Sequence, residues 1–276
     1  MIAQRDCRVC ATNPQGRTMN PLIEKMKQDQ VVVGVTIAEL LRPCVLKIYA
    51  NAGADFVYLE NEHTLFDPTA FADALICAAD NQLPVVTKTP YLDRGATVRL
   101  LDAGVIALQL PMTETADHVG TLHQWLKYPP VGVRAVCCGY ASTGYRPVDL
   151  KTFLAEQNED SMLIAHIETK AGVDAIDDIL GTGVVDVVFI GQDDMSITVG
   201  APGDHHDPRH VAAVQRVADA ARAHDVFFGL FAPSIDSAKR WIDKGARFFE
   251  VSDELMFIDE GARRVVSEFR SLGGSE

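Results

Sequence analysis

Chemistry in this chain concentrates where apolar runs end. One run closes on His166-Ile167-Glu168 and another on Gly191-Gln192-Asp193-Asp194. Glu168 and Asp194 are each the first or second acidic group after such a run. With no cysteine or histidine cluster to build a softer site, two carboxylates suit a hard divalent cation, Mg2+ or Mn2+. Two protein oxygens leave positions on the ion for water and a chelating substrate. The competing reading is that both cap helices, Glu168 one at 171–180 and Asp194 one near Ser196. Histidine is the side chain that titrates near neutrality, so His63, after Glu60-Asn61-Glu62, is a candidate general base. Its plain alternative is a surface histidine in an acidic turn.

Lys88 lies in Pro84-Val85-Val86-Thr87-Lys88-Thr89-Pro90. A lysine inside an apolar strand must aim its ammonium at a partner or at an open mouth. It can fix a carboxylate, stabilise an enolate or form a Schiff base; the alternative is an ion pair with Glu60 or Glu62. Surrounding carboxylates favour the ammonium form, which predicts a clamp and not a Schiff-base nucleophile. His205, His206 and His210 read as a polar loop entering a helix. Cys7 and Cys10 form a Cys-x-x-Cys pair without the second pair or histidines that a zinc site needs, and read as reduced thiols. Serine-hydrolase elbow, zinc-protease and phosphate-loop motifs are absent. The pair Gly181 and Gly183 precedes a strand, the wrong context for a dinucleotide site.

The elements that position these residues alternate. Apolar, β-rich runs at 31–37, 55–60, 84–89, 105–112, 162–168, 184–191, 226–232 and 247–252 are continuous, as strands buried on both faces are. Helical patterns lie between them at 38–52, 67–81, 93–103, 115–127, 171–180, 208–224, 234–244 and 257–271. One junction recurs, at Ala52-Gly53-Ala54, Ala103-Gly104-Val105 and Lys244-Gly245-Ala246, with glycine where a helix gives way to a strand. Eight strands and a repeated helix–strand turn predict a closed (β/α)8 TIM barrel over 21–276, preceded by an N-terminal arm at 1–20. The stretch 128–161 reads as a long loop with a helix near 149–156. In such a barrel chemistry sits at the C-terminal strand ends, where Glu60, His63, Lys88, Glu168 and Asp194 all fall.

The 276 residues carry 25 Lys plus Arg against 38 Asp plus Glu, a net charge of −13. So acidic a surface repels phosphate backbones, so nucleic-acid and anionic-membrane partners are not expected. No apolar run approaches the ~20 residues that span a bilayer, and no signal-peptide pattern opens the chain, so the expected location is cytoplasmic.

Six motifs in order resemble the HpcH/HpaI family of class II, metal-dependent pyruvate aldolases. They are 55–63 through Glu60-Asn61-Glu62-His63, Leu101-Asp102-Ala103-Gly104, Leu110-Pro111-Met112, Tyr128-Pro129-Pro130-x-Gly132-x-Arg134, 166–170, and 189–196. The resemblance, from about 34 to 256, implies a TIM barrel of the phosphoenolpyruvate/pyruvate type. It implies a divalent metal (Mg2+ or Mn2+, with Co2+ also used) on Glu168 and Asp194, and a catalytic histidine at His63. It implies that Asp102 partners this histidine, in some members across a subunit boundary. It further implies a substrate site at Gly191, Gln192, Asp193 and Glu60, and a homo-oligomer, a hexamer or trimer of dimers, with the helix at 257–271 exchanged. Lys88 stands where the family usually has arginine, Glu60 where it has aspartate, and Gln192-Asp193 where a proline–alanine pair is common. The implied reaction is cleavage or formation of 4-hydroxy-2-oxo acids through a pyruvate enolate, from a 2-oxo acid and an aldehyde. Oxaloacetate decarboxylation, keto-acid condensation, and a metal-binding barrel without turnover are the alternatives.

Overall fold

The structure is a computed structural model and describes residues 20–89 and 92–272. Cys7, Cys10 and the rest of the arm before Asn20 lie outside the described residues, as does Pro90. Eight parallel strands close into a barrel in chain order: β1 (Val32–Ile37), β2 (Phe56–Leu59), β3 (Val85–Lys88), β4 (Ala107–Leu110), β5 (Met162–Ile167), β6 (Val187–Ile190), β7 (Phe227–Phe231) and β8 (Ala246–Asp253). The last pairs with the first through Val32 opposite Phe248. The helices are α1 (Pro21–Lys27), α2 (Pro43–Ala52), α3 (Pro68–Asp80), α4 (Arg94–Asp102), α5 (Ala116–Leu126), α6 (Leu150–Asp160), α7 (Lys170–Asp174), α8 (Ile176–Gly181), α9 (Gln192–Thr198), α10 (Pro208–Ala223), α11 (Ile235–Ile242) and α12 (Glu254–Ser271).

Every residue of β2, β3, β4 and β6 is buried. Each strand has helices on one side and a packed interior on the other, which is why the runs are continuous and not alternating. Val57, Leu59, Leu108, Ile167 and Phe249 pack outward against the helices. Phe56, Val86, Ala107, Ile164 and Phe248 fill the barrel, with Phe56 and Phe248 stacked at 4.6 Å. Leu22 and Met26 of α1 close its lower end. The recurrent junction holds: Gly53, Gly104 and Gly245 have φ of 85°, 106° and 101°, where any Cβ is strained.

The structure departs from the sequence pattern in four places. The helix expected from 38 begins at Pro43, because the N–H groups of Ala38, Glu39 and Leu40 donate to the Glu254 carboxylate at 2.9, 2.6 and 2.7 Å. The helix expected at 171–180 breaks at Ala175 into α7 and α8. Helices α1 and α9, of seven residues each, are too short to show a helical period. The 128–161 stretch carries one 3-10 turn at Ala141–Thr143 before α6. No helix among the described residues is long and apolar enough to cross a membrane.

Candidate active site

Side chains two apart on a strand share a face. Val86, Ala107, Ile164 and Phe248 face the interior, so Lys88, Gln109, His166 and Glu250, two residues nearer the C-terminal ends, form the next layer up. Bulky apolar side chains usually fill such layers. Here the layer is polar and floors a cavity of about 450 Å3, whose wall includes Glu60, Glu168, Gly191, Asp194 and His205.

Glu168 follows β5 and is buried; its Oε1 accepts from the N–H of Met112 at 2.6 Å. That bond fixes the carboxylate and holds Met112 in a left-handed conformation, φ 48°. Asp194, in the first turn of α9, lines the same cavity. Burial, with the charges of Glu62 and Asp194, pushes the Glu168 carboxyl up, against the opposing pull of Met112 and Lys88. Two carboxylates that repel each other in one cavity fit a divalent cation, which relieves the repulsion. Gly191 leaves the room for it: a Cβ there lies 2.8 Å from Glu168 Oε2 and 2.5 Å from His166 Nε2.

Lys88 is buried, with Nζ 2.5 Å from Glu62 Oε2. Burial works against its charge, but the hydrogen bond to Glu62 and the charges of Glu60 and Glu168 outweigh it, raising the ammonium's pKa. His63 sits at the lip, 71% exposed, with Nε2 3.5 Å from the same Glu62 oxygen. Glu60 Oε1 accepts from the N–H groups of Glu62 (2.7 Å) and His63 (3.1 Å) and so shapes this turn. Donor atoms of Glu60, Glu62 and His63 lie within 4.8 Å of one another, with Glu60 Oε1 engaged by the turn amides and Glu62 Oε2 by Lys88.

The peptide N–H of Gly191 belongs to the sheet, bonded to Ile167 O at 3.1 Å. Those of Gln192 and Asp193 open α9, where N–H groups lack intrahelical partners. The Gln192 side chain turns aside to Phe231 O at 2.9 Å. Asp102 is not brought to the mouth. It ends α4, which runs back toward the strand starts, and it pairs with buried Arg134 at 2.7 Å.

Some of the charge that the sequence places at the mouth is structural. Glu254 ties down the β1–α2 loop, and Asp253 caps α12 through the Met256 N–H at 2.8 Å. Other cavity-lining positions escaped the sequence pattern. His205 lies on the cavity wall, 2.9 Å from Asp193 Oδ1 and stacked on His210. Tyr58, Gln109 and Glu250 are linked in the floor: Tyr58 Oη donates to Gln109 Oε1 at 3.0 Å, and Gln109 Nε2 to Glu250 Oε1 at 3.4 Å. Their signal was the one that marked Lys88, a polar residue inside an apolar strand. Burial first, then the Glu60 charge, pushes Glu250 up to about 8 against Lys88 and Gln109. Burial, then Lys88 and His63, holds His166 far below its usual value, as a neutral imidazole.

This architecture is shared with characterised proteins. The family profile described as HpcH/HpaI aldolase/citrate lyase matches residues 38–258. A 5-keto-4-deoxy-D-glucarate aldolase of Salmonella arizonae is 27% identical over 241 residues, 87% of this chain and 93% of the relative. A hydroxypyruvate/pyruvate aldolase of Roseovarius nubinhibens is 27% identical over 229 residues, 83% and 89% of the two chains. The crystal structure of an HpcH/HpaI aldolase from Desulfitobacterium hafniense superposes with a TM-score of 0.86 at 26% identity, covering 92% of this chain and 97% of that one. Matched to the family profile over residues 38–258 and folded as the same closed eight-stranded barrel, the chain belongs to the HpcH/HpaI aldolase/citrate lyase family of lyases.

Proposed function

We propose that this protein cleaves and forms 4-hydroxy-2-oxo acids through a pyruvate enolate, with a divalent metal held by Glu168 and Asp194. The observation that carries this reading is the pairing of those carboxylates in one cavity with a lysine held as its ammonium. When bound, the metal supplies Lewis-acid polarisation of the 2-oxo acid. The N–H groups of Gln192 and Asp193 take the substrate carboxylate. Lys88 holds the oxygen on carbon 2, where negative charge grows as the C3–C4 bond breaks. His63 takes the proton of the C4 hydroxyl, and Glu62, beside its Nε2, stabilises the charged imidazolium. Asp102 reaches a mouth only in an assembly where one copy's α4 end abuts another's lip, so a homo-oligomer completes the site.

Product analysis tests this: 4-hydroxy-2-oxo acids and oxaloacetate are each supplied with Mg2+, Mn2+ or Co2+. Aldehyde and pyruvate released only with metal present is the expected result; carbon dioxide from oxaloacetate alone would move the assignment to decarboxylation. Glu168→Gln and Asp194→Asn should lose activity and Mn2+ binding together while the fold persists. Full activity in either variant refutes the metal assignment.

A further inference from the structure

The reaction above moves two protons, one on the C4 hydroxyl and one on carbon 3, and His63 accounts for the first alone. Carbon 3 becomes carbanionic in the enolate and must receive a proton in cleavage, or lose one in condensation. Glu250 is the group placed for that. It is buried on β8 and points into the barrel above Phe248, yet it lines the same cavity as Glu168 and Lys88. Its neighbours in register, Gly34 on β1 and Phe231 on β7, offer no charge. From β2 it faces Tyr58 and Glu60, from β3 Lys88, from β4 Gln109 and from β5 His166, with Asp253 further along its own strand. Gln109 holds one carboxyl oxygen, and Tyr58 holds Gln109, so the amide cannot rotate away. Among the described residues, Gln109 is the hydrogen-bond partner of this carboxyl, whose other oxygen remains for the cavity.

Resting on the enolate reading, we propose that Glu250 is the second proton-carrying group of the site, exchanging a proton with carbon 3. In cleavage the Glu250 O–H bond breaks and the enolate electron pair forms C3–H, while carbon 2 regains its carbonyl. The resulting carboxylate lies in the field of Lys88, and water at the open mouth returns its proton. In condensation the carboxylate removes the C3 proton by the reverse path. A carboxyl with a pKa near 8 is a stronger base than an ordinary one and still carries a proton at neutrality.

The test follows deuterium entering carbon 3 of pyruvate in D2O, by mass spectrometry, with Mg2+-loaded wild type and Glu250→Gln. Glutamine keeps the shape and still accepts from Gln109, but carries no exchangeable acid proton. Exchange should slow by about 10²-fold or more in Glu250→Gln, with Mn2+ affinity unchanged. The wild-type exchange rate should rise with pH to a plateau whose midpoint lies below the metal-free value of about 8, since a divalent ion in the same cavity favours the carboxylate. Glu250→Asp should restore exchange with that limb displaced. On metal-free protein, infrared spectra should show a protonated carboxyl component that fades near pH 8 and is lost from the spectrum of Glu250→Gln. Exchange at the wild-type rate in Glu250→Gln, or an unchanged infrared band, overturns the proposal. Wild type that fails to exchange with any of the three metals overturns the aldolase reading itself, and the proposal with it.

Discussion

Lys88 and Glu250 face one cavity with opposite electrostatic outcomes. Lys88 has three carboxylates around it and keeps its proton. A Schiff base requires the free amine, so borohydride with pyruvate should trap no adduct on Lys88, and EDTA should abolish activity until divalent metal is returned. A trapped pyruvyl mass with EDTA-resistant activity would contradict the clamp. Glu250 also keeps its proton, because burial penalises the carboxylate. The folded state holds this proton up to about 8, whereas the unfolded chain releases it near 4.5, so folding is progressively disfavoured as pH rises between those values. Glu250→Gln removes that slope. Its melting temperature should match or exceed wild type at pH 7, with the gap widening from pH 5 to pH 8. A gap independent of pH across this range would show that Glu250 does not titrate there.

The element that matters most is the turn from β6 into α9. It carries Asp194, presents the N–H groups of Gln192 and Asp193, and passes so close to β5 that residue 191 has no space for a side chain. Gly191→Ala drives a methyl into His166 and Glu168 side-chain atoms at 2.5–2.8 Å. Overpacking of this kind costs about 1–3 kcal/mol, and displacing Glu168 should weaken Mn2+ binding about 10-fold or more. Calorimetric metal titration checks it; wild-type affinity in a folded Gly191→Ala would mean that Glu168 does not bear on the metal. A second element, the loop from β1 to α2, is held by Glu254 rather than by its own hydrogen bonds. That explains why a helical pattern starting at Ala38 does not become helix until Pro43.

For the molecule as a whole, the apolar surface of α12 stays largely uncovered by the described residues, Phe257 meeting Tyr49 edge-on at 6.1 Å. Phe257, Ile258, Val265, Val266 and Phe269 are all exposed, Phe269 at 70%. A surface otherwise dominated by a net charge of −13 leaves this helix as a place where two copies gain by burying apolar area. Sedimentation should show an assembly, and Val266→Asp with Phe269→Asp should dissociate it and lower activity, since Asp102 then reaches no second mouth. A monomer with full activity would remove both the interface and the role of Asp102.

The sequence by itself determined the barrel, because its evidence is local: continuous apolar strands, and glycines at the turns where Gly53, Gly104 and Gly245 adopt positive φ. It also marked Glu168, Asp194, Lys88 and His63, since strand ends in such a barrel must carry the chemistry. Tertiary structure alone decided which polar residues inside the strands meet. Gln109 and Glu250 are 141 positions apart, and they touch only because closure of the barrel and the pleat of β4 and β8 turn both inward at one height. The same closure sorted the remaining charge by its place in the barrel. Glu254 and Asp102 resemble site residues in sequence, but the direction of the chain sends one to a loop amide cluster and the other to the far end of the barrel.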